Sequence, residues 1–421
     1  MKILFLAAWY PNRLDEMEGL FVRKHAQAAA LYDQVCVLFV KAETGRKDWT
    51  HQQQRSGNVV EHYIYYPKAA HAPKRFRNFF AAYKRGLRSV FQEFGKPDLI
   101  HCNIMTRHAL MAWLLHAKYK IPYVITEHWS RYYRHDFHNL LHRKLTCWLA
   151  KKARRIMPVS ESLASAMQEC GIKGRYTVVR NVVDDFFFEE PNPTQRPSLL
   201  GKSATAGKTG SLSDSSSVQD SPWPAAKAGI KTMVHICCFD EPAKNNKGLL
   251  RALKTLSLVR NDFRMIFAGY GRDWDETKAY AEMLHFKTGQ ILFPGEISPQ
   301  EVKQLLDQSC FLVLFSNYET ASVVISEALA CGKPVVASRT GGIPEIVNEA
   351  NGILVKSGDE HAVWRAMNAM LDHYTDYPAE HIRQSAEIFR FSYIGNQFHQ
   401  IYLSACQQDS SGITSHRPAA D

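Results

Sequence analysis

The chain has 421 residues, 45% hydrophobic and 22% charged, with 52 Lys and Arg against 41 Asp and Glu for a net charge of +11. That length exceeds one ordinary core and asks for two domains. The apolar and aromatic content is that of a globular protein, and no apolar run approaches the roughly 20 residues that span a membrane. Nine scattered cysteines without paired spacing exclude a disulfide framework and suit a reduced cytosol.

In chain order, MKILFLAAWYP resembles a signal peptide only superficially, because its apolar run is short and Pro11 ends it. A buried first strand is expected there. YPNRLDEMEGLFVRKHA (10–26) carries Gly19, which either forms a plain turn or lets backbone approach a ligand, and a helix follows through FVRKHAQAAALY. QVCVLFVK, DLIHCN, YVITEHW, RIMPVS and YTVVRNVV are apolar runs alternating with helical patterns, the rhythm of a parallel α/β sheet. His128 falls just past one of these strands. KRFRNFFAAYKRGLRSVFQEF (74–94) is a helix with Phe76, Phe79, Phe80, Tyr83, Leu87, Val90, Phe91 and Phe94 on one face and Arg77, Lys84, Arg85 and Arg88 away from it. It either packs on its own domain with a solvated basic face or meets anionic lipid. RKLTCWLAKKARR (143–155) is a second basic stretch. Through Glu190 the chain holds 30 basic and 17 acidic side chains, so the positive charge is concentrated in the first half. No nucleic-acid recognition motif accompanies it, so a nucleic-acid partner is not expected.

From about 191 to 230 the composition turns to Ser, Gly, Ala and Pro, with little to bury, which predicts a linker or loop. Gly201, Gly207 and Gly210 lack the spacing of a phosphate-binding loop. Strand-like runs resume at TMVHICCF and continue through RMIFAGYG and ILFPGEIS. Cys237 and Cys238 are adjacent and show no metal-ligand spacing. The tail from 407 has the composition of an unstructured segment.

SNYETASVVISEALACGKPVVASRTGGIPE (316–345) is the most informative stretch. A strand over 310–316, a helix from Ala321 to Cys331 stopped by Gly332, and a strand over 334–338 make a βαβ unit, with Glu319 at the carboxyl end of its first strand. Glu319 and Glu327 are eight positions apart, about 12 Å of helical rise, too far to share a proton or chelate one metal ion. They can hold two hydroxyl-bearing ends of one long ligand, with the backbone N–H groups of Ala321, Ser322 and Val323 taking a phosphate between them. That ligand is a nucleotide-sugar. Glu327, inside VVISEALAC, is expected to be buried.

This stretch resembles the signature of retaining GT-B glycosyltransferases of family four: a glutamate, seven residues, a second glutamate, then A-x-A-x-G-x-P-V-V and G-G-x-P-E. The resemblance implies an α/β, GT-B fold of two Rossmann-like domains facing a central cleft. It divides the chain into an acceptor-side domain (1–190), the 191–230 linker, a nucleotide-sugar domain (231–388), a helix crossing back to the first domain (389–406) and the tail (407–421). It gives Glu319 to the donor sugar, Glu327 to the ribose, His128 to the neighbourhood of the sugar, and Gly19 to the diphosphate or acceptor. VVRNVVDDFF resembles the family's N-G-V-D segment through Asn181 and Asp184, with Val182 in place of glycine. In HICCFDEPAKNNKG, Lys244 matches the family's lysine, with Lys247 a substitute, and Cys238 stands where an arginine is usual. Arg272 is a candidate to replace that arginine, and Gly269 lies in the matching AGYG turn. The activity implied is transfer of a sugar from a UDP- or GDP-type donor to a glycan or lipid-linked acceptor, with retention of configuration and without a metal or other cofactor. The expected setting is cytoplasmic, peripheral on the inner face of the membrane, with an anionic membrane surface as a partner. A non-catalytic nucleotide-sugar binder, or an epimerase or phosphorylase on the same fold, is the alternative.

Overall fold

The computed structural model describes residues 1–105, 107–137, 140–190 and 229–407. The linker expected at 191–230 and the tail from 407 lie almost wholly outside the described residues.

The first half holds β1 (Lys2–Ala7), α1 (Leu20–Ala29), β2 (Gln34–Glu43), β3 (Thr50–Ser56), β4 (Val59–Pro67), α2 (Ala72–Glu93), β5 (Leu99–Asn103), α3 (Arg107–Tyr119), β6 (Tyr123–Glu127), α4 (Leu140–Lys152), β7 (Ile156–Pro158) and α5 (Glu161–Glu169). The second holds β8 (Lys231–Cys238), α6 (Glu241–Lys244), α7 (Asn246–Val259), β9 (Phe263–Tyr270), α8 (Trp274–Met283), β10 (Ile291–Gly295), α9 (Pro299–Asp307), β11 (Phe311–Leu314), α10 (Val323–Ala330), β12 (Val335–Ser338), β13 (Gly352–Val355), α11 (Glu360–His373), α12 (Ala379–Ser385) and α13 (Phe391–Gln407).

These elements form two compact units, one of Met1–Asp185, Glu319–Val323 and the chain from Glu387, the other of Phe186–Tyr318 and Val324–Ala386. The first is built on a sheet of order β3-β4-β2-β1-β5-β6-β7. All its pairings are parallel except β3 with β4. Interior strands such as β1 and β5 are buried along their length, as parallel strands covered on both faces must be. β3 is different: THQQQRS is polar and mostly exposed, a blunted edge. YTVVRNVV forms no strand beyond a single bridge from Tyr176 to Ile156, although Thr177 and Val179 donate to the Ile156 and Pro158 carbonyls along β7.

One face of this sheet is covered by α2 to α5, the other by α1 and α13. Most of the aromatic face of α2 packs on the sheet: Phe79, Tyr83 and Val90 are buried and Phe80, Leu87, Phe91 and Phe94 half-buried against the core. Phe76, expected on the same face, is exposed near the start of the helix, and Arg77, Lys84, Arg85 and Arg88 face outward. α13 closes the other face, placing Ile394, Phe398 and Tyr402 in one core with Val22, Ala26 and Ala29 of α1. A Cβ at Gly395 would run into the Ala28 carbonyl oxygen, so glycine sets how closely α13 approaches α1.

The second unit has an all-parallel sheet of order β10-β9-β8-β11-β12-β13. Its core joins α7 and α11 to the strands through Leu249, Leu253, Met367 and Met370. Side-chain caps start several helices: Ser298 and Glu301 form a reciprocal capping box on α9, and Asp359 accepts from the Ala362 N–H on α11.

Candidate functional site

In an open parallel sheet, ligands bind beyond the carboxyl ends of the strands where the winding reverses. The second unit reverses between β8 and β11; the loop leaving β8 carries Lys244, and the loop leaving β11 runs through Tyr318 to Glu319, where the chain enters the short Glu319–Val323 segment grouped with the first unit. After β8 the chain makes the single turn α6 and bends sharply at Asn245, which sits at φ 52°, before entering α7. Lys244 ends that turn, half-buried. The loop after β11 is tied to the same corner. The Asn317 N–H donates to the Ala243 carbonyl at 2.7 Å and its side-chain amide to the Pro242 carbonyl at 3.1 Å. From the neighbouring strand ends, the Thr340 hydroxyl donates to the Asn317 carbonyl at 3.0 Å and the Ser357 hydroxyl to the Ser316 carbonyl at 3.1 Å. The glycine turn after β12 is thereby linked to the segment that leads to Glu319.

Glu319 is buried and Glu327 is half-buried, the reverse of the emphasis expected from sequence. Glu327 lies at a boundary position of α10, whose inward face is formed by Ile325, Ser326 and Ala328 to Ala330. The helix begins at Val323, two residues later than expected. Ser322 occupies the position before the first helical residue, where serine is favoured because its hydroxyl can serve a first-turn N–H. Ala321 and Ser322 therefore belong to the loop, and the first-turn N–H groups start at Val323. Helical rise covers only part of the path from Glu319 to Glu327, so the 12 Å inferred from it does not apply.

The cations of this unit are arranged unevenly. Lys247 pairs with Glu276 at 2.5 Å. Arg272 is exposed and pairs with Asp240 at 2.6 Å and Asp273 at 3.3 Å. Cys238 is exposed at the end of β8, beside Tyr270 of β9. Gly269 has φ 131°, and a Cβ there would collide with the Cys237 carbonyl oxygen, so the AGYG turn needs glycine to lie against β8. Sequence patterns did not single out His235. It is fully buried in β8, with Nδ1 2.9 Å from the Val313 carbonyl and Nε2 2.9 Å from Asn246 Oδ1, joining β8, β11 and α7 under the site. A histidine in the middle of an apolar strand was its only signal.

The first unit reverses between β1 and β5. Gly19 precedes α1 at φ 67°, and a Cβ there would lie 2.6 Å from the Trp9 carbonyl oxygen. The close approach it permits is to the chain's own backbone. α1 then presents Phe21 and His25 to His128, at ring-centroid distances of 4.4 and 5.3 Å. His25 Nε2 lies 3.0 Å from the Arg180 carbonyl, which brings the Asn181 segment alongside. Asp184, in the same segment, pairs with Lys24 of α1 at 2.8 Å. Gly19, His128 and Asn181 are thus gathered around one helix. Among the described residues, His128 Nε2 and Asn181 Oδ1 are buried and meet no hydrogen-bond partner. Burial, reinforced by His25 and His101, holds the His128 imidazole well below its usual range and keeps it neutral.

Glu127, also missed from sequence, fixes the turn that carries His128. It is fully buried and accepts from the N–H groups of Met105 (2.8 Å), His128 (3.0 Å) and Trp129 (3.1 Å) and from the Tyr132 hydroxyl (2.9 Å). Burial pushes its carboxyl up despite these donors. Its signal was an acid ending an otherwise apolar strand, YVITE.

Comparison with known proteins bears on the family and the fold. Over 186 residues the chain is 28% identical to N-acetyl-alpha-D-glucosaminyl L-malate synthase of Bacillus anthracis, covering 43% of this chain and 48% of that protein. Over 125 residues it is 31% identical to O-antigen chain mannosyltransferase B of Escherichia coli, covering 29% and 32%. The match to the first of these spans about half the relative's length. Among solved structures, sucrose-phosphate synthase from Thermosynechococcus elongatus superposes with a TM-score of 0.72 at 16% identity, over 98% of this chain and 100% of that one. The Anabaena protein HepE in complex with UDP superposes with a TM-score of 0.69 at 18% identity, over 96% and 100%. Both are likenesses of fold. The family model for "Glycosyltransferase Family 4" matches residues 26–185 and that for "Glycosyl transferases group 1" matches residues 239–387. Between them these matches take in most of both units, and the chain belongs to the family 4, group 1 glycosyltransferases with the GT-B fold.

Proposed function

We propose that this protein moves a sugar from a nucleoside-diphosphate sugar to a glycan or lipid-linked acceptor in cell-surface polysaccharide or lipopolysaccharide synthesis, with retention at the anomeric carbon. The observation that carries this reading is the pair of loops at the β8/β11 reversal, hydrogen-bonded to each other through Asn317 and bearing Lys244 and Glu319. The bond from the anomeric carbon to the diphosphate breaks and one to an acceptor hydroxyl forms, while the hydroxyl proton is released. Charge builds on the departing diphosphate and on an oxocarbenium-like sugar. Lys244 and the first-turn N–H groups of α10 stabilise the diphosphate, so no metal ion is required in this scheme. Glu319 positions the sugar, Glu327 the ribose, and neutral His128 contributes a hydrogen-bonding group towards the sugar. The HepE complexes with UDP and UDP-glucose favour uridine donors as the first to try. Among the described residues no helix is long and apolar enough to cross a membrane, which suits peripheral attachment on the cytoplasmic side.

A thermal-shift panel of nucleoside-diphosphate sugars tests the donor. Stabilisation follows RT ln(1 + [L]/Kd), about 2.7 kcal/mol at 100 times Kd. One donor class should raise the melting temperature well above the rest, and a flat panel contradicts the reading. A second reading, a binder without turnover, is favoured by Cys238 at the expected arginine position and Val182 in place of the usual glycine. Release of nucleoside diphosphate that depends on added acceptor excludes it, and also separates transfer from epimerisation.

A further inference from the structure

The outer surface of the first unit's α2–α5 layer carries an apolar ridge that the described residues leave uncovered. α4 buries Thr146, Leu149 and Ala150 against the core and turns Leu141, Leu145 and Trp148 outward at i, i+4 and i+7. Leu140 and Leu141 are 74% and 76% exposed, values far from those of core leucines. Trp148 stands edge-on to Trp113 of α3, with ring centroids 4.7 Å apart, so the ridge is extended and stiffened by a second helix. Isolated exposed leucines need no explanation, but a contiguous helical stripe of them with tryptophan does.

The charge around this ridge has one sign. α4 contains Arg143, Lys144, Lys151 and Lys152 and no acid. Across residues 107–155 there are eleven lysines and arginines against two acids, Glu127 and Asp136, and Glu127 is fully buried. A cavity of about 310 Å³ at the first turn of α4 sets Arg143 and His135 beside Phe137 and Leu140. Apolar side chains that enter the acyl boundary, tryptophan at headgroup level and cations alongside are the chemistry of an anionic bilayer surface. A protein partner of matching acidity would also meet the charge. The strongly exposed leucine pair at the first turn of α4, with cations on the same helix, favours lipid, since it offers apolar side chains to insert beside groups that meet anionic headgroups.

We propose that α4, with Trp113 and Leu114 of α3, is a monotopic membrane-binding surface that docks on anionic lipid, and that α2 supplies mainly flanking charge because, apart from Phe76, its aromatic side chains pack on the core. This locates the lipid side of the acceptor reading above and rests on it for its purpose. Its test needs neither donor nor acceptor, so the two can fail separately. The full chain should float with phosphatidylcholine vesicles containing phosphatidylglycerol and not with phosphatidylcholine alone. Leu140→Asp with Leu141→Asp should weaken this binding by about tenfold or more. Both sites are exposed enough that melting should not change, and an unchanged melt confirms the variant is folded. Brominated acyl chains should quench the wild type, and Trp148→Phe should remove most of that quenching. No binding of the wild type to anionic vesicles overturns the proposal. So does binding unaffected by the leucine changes but abolished by Lys84→Glu with Arg88→Glu, which would assign the surface to α2. Binding to an acidic polypeptide in place of vesicles overturns it in favour of a protein partner.

Discussion

At Gly19 the backbone sits at φ 67°, and a Cβ would lie 2.6 Å from the Trp9 carbonyl oxygen. Replacing it by alanine adds both a left-handed strain and a backbone clash, so Gly19→Ala should cost roughly 1–3 kcal/mol in a denaturant melt. A variant as stable as the parent would show that the turn can open. The two glutamates call for a different measurement. Glu319→Ala should lower transfer by about 100-fold or more with melting unchanged, the scale of losing a contact made in the transition state. Glu327→Ala should act chiefly on the donor, weakening nucleotide binding by roughly tenfold while leaving the rate at saturation nearer the parent's. Equal effects of both on rate and binding would refute the separate roles. Arg272 shows how far one residue's meaning depends on neighbours that sequence does not align with it. Asp240 and Asp273 already hold it, so serving a diphosphate would require it to exchange partners.

Turns and helices behave as units around buried acceptors. Glu127 collects three N–H groups from the ends of β5 and β6, so Glu127→Ala strands three buried donors at about 1–3 kcal/mol each. Glu127→Gln keeps an acceptor and should lose less. If the alanine variant melts with the parent and transfers normally, Glu127 does not position His128. Elements with continuous apolar runs, such as β1, β2, β5 and β11, were legible because parallel strands covered on both faces must be apolar throughout. β3 was not, since an exposed polar edge writes no pattern. The start of α10 was misplaced by two residues because Ala321 looks helical in isolation, whereas Ser322, the residue before the first helical position, is a type that favours a helix start. The glutamate pair was picked out by resemblance, while the helical spacing assigned to it did not hold, because α10 begins only at Val323. His235 and Glu127 were not, because their importance lies in bonds to strands distant in sequence. The same holds for α2: its amphipathic pattern was visible, but the sequence alone could not say that its aromatic face would be covered.

The molecule as a whole keeps several histidines buried and neutral, and that has a consequence for acid stability. Burial lowers His25 to about 4 and His101 and His128 well below their usual range. Unfolded histidines titrate near pH 6.5, so between about pH 6.5 and 4 the unfolded chain binds more protons than the folded one. The histidine contribution to stability should therefore be complete above about pH 7 and be lost as the pH drops through that window. His25 alone would account for about 3 kcal/mol by pH 4. Melting temperatures at pH 7.5, 6 and 5 should decline in that order, and a flat series would refute the buried neutral cluster. The other consequence concerns α13, which supplies Ile394, Phe398 and Tyr402 to the core between α1 and one face of the first sheet, and whose Tyr402 hydroxyl meets His101 Nδ1 at 2.7 Å. During synthesis the first 185 residues leave the ribosome long before these side chains exist outside the exit tunnel. The earliest-made unit is then among the last to be finished, and its α1 face must wait exposed while the second unit folds. A chain stopped before Phe391 should bind a hydrophobic dye and be cut within α1 by protease, with the second unit still protected. Nascent chains of this protein would then be natural clients for whatever shields apolar surface during translation.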